Sequence, residues 1–397
     1  MAGRLSRREI EELRVIVDSG NLTAAAAKLQ EKLESLENTP LDIAITGESG
    51  AGKSSFVNAI LGLNDDDEGA AETGVTQTTM EPKAYRHPRL RNVKLWDLPG
   101  IGTESFQADN YLNQVQFNNY DFFIIVTATR FTSHHTTLAR AIHKLGKRFY
   151  YVRTKVDADL KAEQRKRNFN KARTLQEIRE DCVENLRQTG EASPRVFLLS
   201  SWELTKYDFQ LLQETLENEL DEQKRHIFIL ALPNISAKIL EKKKAELQEH
   251  IWEVALISCA IGALPVPGLS LICDVAILVV HMERYCLAFG LDEESLTRLA
   301  QQVDKPVAEL KSAIKKSPLA SAITKGFVLS LLSRSLCGAL MVVELILNFV
   351  PVIGSLAGGG ISFVTTRYLL RSFLDDAAED AQNILTKALE RRAEESI

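Results

Sequence analysis

Three short stretches place residue types at spacings that do chemistry on a nucleotide. Gly47-Glu48-Ser49-Gly50-Ala51-Gly52-Lys53-Ser54 fits G-x-x-x-x-G-K-[ST] in full. Its glycines let backbone N–H groups turn inward around phosphates, at the start of a helix whose dipole favours an anion. In such a loop Lys53 reaches the β- and γ-phosphates and the Ser54 hydroxyl ligates Mg²⁺, with Ser55 following at the start of the helix. Asp97-Leu98-Pro99-Gly100 closes a later strand with a D-x-x-G turn. There Asp97 can hold Mg²⁺ through water, and the Gly100 N–H can sense a γ-phosphate. Thr154-Lys155-Val156-Asp157 gives T-K-x-D at the end of another strand. Asp157 can accept from N1–H and N2–H₂ of guanine, a donor pair that adenine lacks, while Lys155 lies along the ring and the phosphate loop. Each of the two later stretches alone is a common turn or a solvated strand end; their order along one chain gives them weight.

Weaker signals fall between and after these motifs. Thr73-Gly74-Val75-Thr76-Gln77-Thr78-Thr79 lies where a first switch must lie, and Thr79 rather than Thr78 is expected to complete the Mg²⁺ shell. Lys53, Thr79, Gln77 and Glu48 are the candidates for hydrolytic chemistry. Leu198-Leu199-Ser200-Ser201 closes a further strand, and Ser200 is placed beside the base. The run Asp65-Asp66-Asp67-Glu68 resembles a metal cluster only superficially, since four adjacent acids cannot converge on one ion; it reads as a solvated, mobile loop. Arg165-Lys166-Arg167, with Lys171 and Arg173, reads as a solvated helix face.

The elements that must position these residues follow from apolar spacing. Ile10, Leu13 and Val17, then Ala24, Ala27, Leu29, Leu33 and Leu36, predict two amphipathic helices before Pro40. Leu41–Thr46, Val93–Trp96, Phe122–Val126, Phe149–Arg153 and Val196–Leu199 read as buried strands alternating with amphipathic stretches, the pattern of a mostly parallel sheet wrapped by helices. After Pro233 the strands stop, and the remainder reads as helix, with a helix start at Asp292-Glu293-Glu294-Ser295. The expected organisation is N-terminal helices over 1–38, an α/β nucleotide-binding domain over 39–228 and a helical domain over 229–397.

Composition narrows the classes. A chain of 397 residues with 45% hydrophobic and 25% charged residues is ordinary globular protein, long enough for two domains. A net charge of -5 disfavours nucleic acid as a partner. Cys182, Cys259, Cys273, Cys286 and Cys337 form no C-x-x-C pair and read as reduced, mostly buried thiols of a cytoplasmic protein. The charged N-terminus does not read as a secretion signal, and Ala2 stands where N-myristoylation needs glycine, so that anchor is not expected.

With these motifs in place, G-E-S-G-A-G-K-S, T-G-x-x-x-T-T-M, W-D-L-P-G-I-G, Y-D-F-F-I-I, F-Y-Y-V-R-T-K-V-D, Lys224-Arg225-His226 and L-P-N-I resemble the immunity-related GTPases across nearly the whole chain. Val266-Pro267-Gly268-Leu269 and Ala357–Phe363 look most like the branch called cinema. The resemblance implies a Ras-like P-loop GTPase domain joined to an all-α domain built from both chain ends, with GTP or GDP and Mg²⁺ as ligands. It also implies slow GTP hydrolysis accelerated when two such domains meet across their nucleotide faces, and action at intracellular or pathogen-containing membranes in cell-autonomous defence or a related membrane role. Lys53 puts the chain in the class with Lys rather than Met in the loop, which favours an effector over a regulator. Two departures stand out. Ile101 and Gly102 follow D-x-x-G where Ras-like enzymes orient water with Gln, and Gln77 stands where relatives carry Glu. A GTP-binding scaffold or membrane-shaping protein with negligible hydrolysis is therefore the alternative. Arg130 matches a family position at the dimer face and reads equally as a solvated arginine at a helix start.

Val254–Cys273 and Leu345–Thr366 run without a formal charge and reach the ~20-residue length that spans a bilayer. Pro265 and Pro267 break the first, and Pro351 with Gly358-Gly359-Gly360 break the second, so helical hairpins are expected rather than straight spans. Burial in the core of the helical domain is the first reading, and hairpin insertion or shallow contact with membrane lipids the second.

Overall fold

In the computed structural model, the described residues are 22–74, 79, 81–101, 111, 113–129, 132–190, 194–262, 269–334 and 351–390. The chain divides into two compact units, Thr39–Ile235 and Met1–Asn38 with Ser236–Ile397.

The first unit is built on a six-stranded sheet, ordered β2-β3-β1-β4-β5-β6. Its strands are β1 (Leu41–Gly47), β2 (Lys83–Arg86), β3 (Val93–Asp97), β4 (Phe122–Thr127), β5 (Phe149–Arg153) and β6 (Val196–Leu198). Every neighbouring pair is parallel except β2 with β3. All six residues of β4 are buried, and only Asp42 of β1 is not, as expected of central strands covered on both faces. β2 was not foreseen: in Lys-Ala-Tyr-Arg only Tyr85 is buried, so an edge strand left no apolar run to read. Because central strands are parallel, their C-terminal ends lie on one edge, and the motifs at Gly47, Asp97, Arg153 and Leu198 emerge there together.

The helices of this unit include α2 (Lys53–Leu61), α3 (Ser133–Lys144), α4 (Val156–Glu163), α5 (Lys171–Arg187), α6 (Phe209–Glu219) and α7 (Glu222–Ala231), following α1 (Leu22–Asn38) of the other unit. Helix α7 packs against β1 and β3 and buries Ile227, Phe228, Ile229 and Ala231. That burial moves the domain boundary from 228/229, as expected above, to 235/236. In the acidic run after α2, Asp66 and Glu68 are exposed as expected, while Asp65 and Asp67 are half-buried and hydrogen-bonded. Asn58 Nδ2 donates to Asp65 at 2.8 Å, and the Asn64 N–H donates to Asp67 at 2.7 Å. Arg165, Lys166 and Arg167 are exposed, as expected, but they lie in a turn after α4 rather than on a helix face; Lys171 and Arg173 are exposed on α5.

The second unit is helical among its described residues: α1, α8 (Ala237–Gly262), α9 (Leu269–Phe289), α10 (Glu293–Gln302), α11 (Val307–Lys311), α12 (Lys325–Arg334) and α13 (Pro351–Leu389). Asp292 caps α10 by accepting from the Ser295 N–H at 3.1 Å, the start signal read from sequence. Leu240, Val254, Leu278, Met282, Leu370 and Leu374 lie in one core shared by α8, α9 and α13. The expected break at Gly358–Gly360 does not occur, since α13 runs through all three glycines from Pro351. Glycine costs a helix about 1 kcal/mol per residue, but extending a helix already packed along Leu369–Ala388 needs no new nucleus, and Pro351 is suited to a first turn. The break at Pro265 and Pro267, and residues 345–350, lie outside the described residues, as do the first predicted helix, Gln77 and Arg130. Among the described residues no helix is long and apolar enough to cross a membrane.

Candidate functional site

The phosphate loop is shaped by three glycines in the left-handed half of backbone space, Gly47 (φ 142), Gly50 (φ 77) and Gly52 (φ 85). A Cβ on Gly47 would lie 1.9 Å from the Val126 carbonyl oxygen of neighbouring β4, so no larger residue fits. Ser49 and Gly50 are exposed at the loop tip, Ala51 is buried, and Lys53 opens α2 with Ser54 and Ser55 half-buried behind it. The Lys53 ammonium curls over the loop and donates to the carbonyls of Gly47 (3.3 Å) and Glu48 (3.0 Å). Burial pulls its pKa below the ordinary lysine value, opposed by Asp97 and Glu48. Phosphate oxygens would supply the compensating negative charge at that position.

The D-x-x-G turn packs directly on this loop. Leu98 N–H donates to Ile45 O (2.9 Å) and Ile101 N–H to Gly47 O (3.0 Å). A Cβ on Gly100 would meet Ser49 N at 2.9 Å, which explains a glycine there. Asp97, fully buried at the end of β3, accepts two hydroxyls on Oδ2, Ser54 Oγ at 2.7 Å and Thr79 Oγ1 at 2.9 Å. Its other oxygen, Oδ1, is buried with no partner. Three oxygen ligands from three segments meeting around one carboxylate is the donor set that a hard divalent cation takes, and the orphaned oxygen leaves capacity for it. Mg²⁺ bound there would neutralise charge on the β- and γ-phosphates; Ser54, Thr79 and Asp97 fit it.

The base side is assembled from β5, α4 and the loop after β6. Thr154 donates through Oγ1 to Ala51 O (2.7 Å) and Thr127 O (3.1 Å), tying this loop to the phosphate loop. Lys155 has a left-handed backbone (φ 57), costly for a residue with a side chain, and its Nζ reaches Gly50 O at 2.9 Å. That is the path along the loop expected for it. Asp157 Oδ1 and Ser200 Oγ are both buried without a partner, so both have hydrogen-bonding capacity to offer on this side.

A family model described as "Interferon-inducible GTPase" matches residues 6–388. The chain belongs to the interferon-inducible GTPase family. Interferon-inducible GTPase 5 of Rattus norvegicus is 46% identical over 388 residues, 97% of this chain and 84% of that protein. Interferon-gamma-inducible GTPase 10 of Mus musculus is 36% identical over 385 residues, 96% of this chain and 90% of that one. Among solved structures, Toc33 from Arabidopsis thaliana in complex with Mg²⁺ and GMPPNP is similar at 14% identity and a TM-score of 0.32, covering 44% of this chain and 77% of that one.

Within this chain the sequence motifs converge, with one change of role and several additions. Glu48 lies in the loop, but its carboxylate turns away: Oε1 accepts from Thr132 Oγ1 (2.8 Å) and Oε2 from Thr129 Oγ1 (3.2 Å). It therefore acts as a tether between the phosphate loop and the start of α3 rather than as a free base. His135 backs this tether, fully buried, its Nδ1 accepting from the Thr132 N–H at 3.1 Å. Burial pulls His135 down to about 4, with Glu48 opposing and His134 adding to the fall, so it is neutral at pH 7. Tyr111 shares a hydrogen bond with Thr46 (2.8 Å) and donates to Pro99 O (3.0 Å), holding the D-x-x-G turn to β1. Neither Tyr111 nor the Thr129–Thr132 pair carries a spacing signal; only the packed fold shows them.

Proposed function

We propose that this chain binds GTP and GDP with Mg²⁺ and hydrolyses GTP to GDP and phosphate. The observation that carries the reading is the pair of unpartnered buried oxygens, Asp97 Oδ1 and Asp157 Oδ1, one at each end of a glycine loop. The first end has the chemistry for a metal-bound triphosphate and the second for the donor edge of guanine. In this reading Gly47, Glu48, Ser49, Gly50, Ala51, Gly52, Lys53, Ser54 and Ser55 surround the phosphates. Ser54, Thr79 and Asp97 hold the cation, Gly100 meets the γ-phosphate, and Thr154, Lys155, Asp157 and Ser200 hold the base.

Turnover is proposed to need a second copy meeting the first across the nucleotide face. Ile101, which follows the D-x-x-G turn, is buried and pairs with Glu48, so no side chain there orients water, and Glu48 itself is committed to two threonines. Action at intracellular membranes is proposed on the exposed apolar side chains Ile272, Val364 and Tyr368, which flank or belong to the uncharged segments. The test is phosphate release per molecule against protein concentration with Mg²⁺·GTP. A rate that climbs with concentration supports a self-activated GTPase; a negligible rate at every concentration, with GTP bound, replaces it with a nucleotide-gated scaffold. Flotation with liposomes, with and without GTP, tests the membrane part.

A further inference from the structure

The first turn of α4 carries two carboxylates two residues apart, Asp157 and Asp159, and Asp159 is the one engaged by an arginine. Asp159 Oδ2 accepts from Arg153 Nη2 at 2.7 Å, while the same guanidinium donates through Nη1 to Thr154 O, also at 2.7 Å. Arg153 is 7% exposed and ends β5, and its own carbonyl accepts from the Leu199 N–H at 2.8 Å. One side chain thus clamps the residue before the strained Lys155, the first turn of α4 and, through its backbone, the loop that carries Ser200.

The chemistry of the clamp bears on selectivity. A guanidinium presents parallel N–H donors in a plane, and so does the N1–H and N2–H₂ edge of guanine. Two neighbouring carboxylates and two such forks can pair in either arrangement, and a carboxylate taken by the protein's own fork is lost to the ligand. We propose that Arg153 is a positioning residue for base selectivity: by engaging Asp159 and the Thr154 carbonyl, it leaves Asp157 as the carboxylate offered to guanine. The inference rests on Asp157 as the reader of guanine. Burial holds Asp159 above the usual carboxylate range, Arg153 opposes this, and the nearby charges of Asp157 and Glu163 add to it, as expected of acids crowded into one turn.

The test compares the affinities of GDP and IDP, which differ by the 2-amino donor, for the full chain and for Asp159→Asn, Arg153→Met and the double variant. Asp159→Asn frees the guanidinium to pair with Asp157, so the GDP-over-IDP preference falls about tenfold, the worth of one charge-assisted hydrogen bond. Adding Arg153→Met removes the competitor and restores part of that preference. A fraction of misfolded protein lowers the number of sites for both nucleotides alike and leaves the ratio of their affinities unchanged, which separates positioning from plain loss of structure. An unchanged ratio in Asp159→Asn, or a double variant less selective than Asp159→Asn alone, overturns the inference. Absence of guanine over adenine preference in the unaltered chain overturns instead the reading of Asp157 beneath it.

Discussion

Thr79 donates to Asp97 across the proposed cation site, Oγ1 to Oδ2 at 2.9 Å, on the same oxygen that takes the Ser54 hydroxyl. A switch-segment hydroxyl is therefore held where a cation would want it, by the carboxylate that would share that cation. Replacing Thr79 by Ala removes one oxygen donor and leaves Asp97 and Ser54 in place. The Mg²⁺ concentration needed to support binding of a non-hydrolysable GTP analogue is expected to rise about tenfold, with GDP binding much less affected. Titration of Mg²⁺ against a fluorescent analogue measures this, and an unshifted midpoint removes Thr79 from the metal shell.

Gly47→Ala is expected to destabilise the nucleotide-binding unit by several kcal/mol, on the order of 4. The Cβ would collide with the Val126 carbonyl at 1.9 Å, and the backbone at φ 142 strains any residue with a side chain. Urea unfolding of the variant checks it. Ala at Gly50, whose Cβ would meet nothing within 4 Å, is expected to cost only its backbone strain, about 1–2 kcal/mol.

What was legible in the sequence depended on how local the determinant was. The phosphate loop and Asp97 close strands, and Lys155 and Asp157 start the helix directly after β5, so in each case the apolar run and the motif are adjacent. The edge strand Lys83–Arg86 was invisible because one buried residue, Tyr85, makes no pattern. Helix α13 passes through Gly358–Gly360 because packing further along the helix outweighs local propensity, which a residue-by-residue reading cannot weigh. Glu48 had the right address, but its tether to Thr129 and Thr132 joins residues far apart in the chain and leaves no mark on spacing.

A titration in the helical unit offers an independent check on its packing. Asp274 is fully buried between Ser258 and Ser362, bonding the Ser258 hydroxyl and, at 2.7 Å, that of Ser362. Burial pushes it up to about 6, with the two serine hydrogen bonds opposing. Its folded-state pKa lies above the unfolded value, so the folded form is penalised as pH rises from about 4 through 6 and stays penalised above. Asp274→Asn removes that penalty. Its stability gain over the unaltered protein should be near zero at pH 4 and grow to roughly 3 kcal/mol by pH 7. Paired thermal melts across that range measure the difference; a gain that is flat with pH, or a loss at pH 7, contradicts the assignment.

Guanine choice by Asp157 is the claim on which the rest depends, and calorimetric titration of the full chain with GDP and with ADP, Mg²⁺ present, tests it most directly. Strong preference for GDP is expected, with a loss of about tenfold or more in GDP affinity on Asp157→Asn, since the amide replaces an ionic acceptor opposite N1–H and N2–H₂. Equal binding of the two diphosphates, or a preference that survives Asp157→Asn intact, would contradict it.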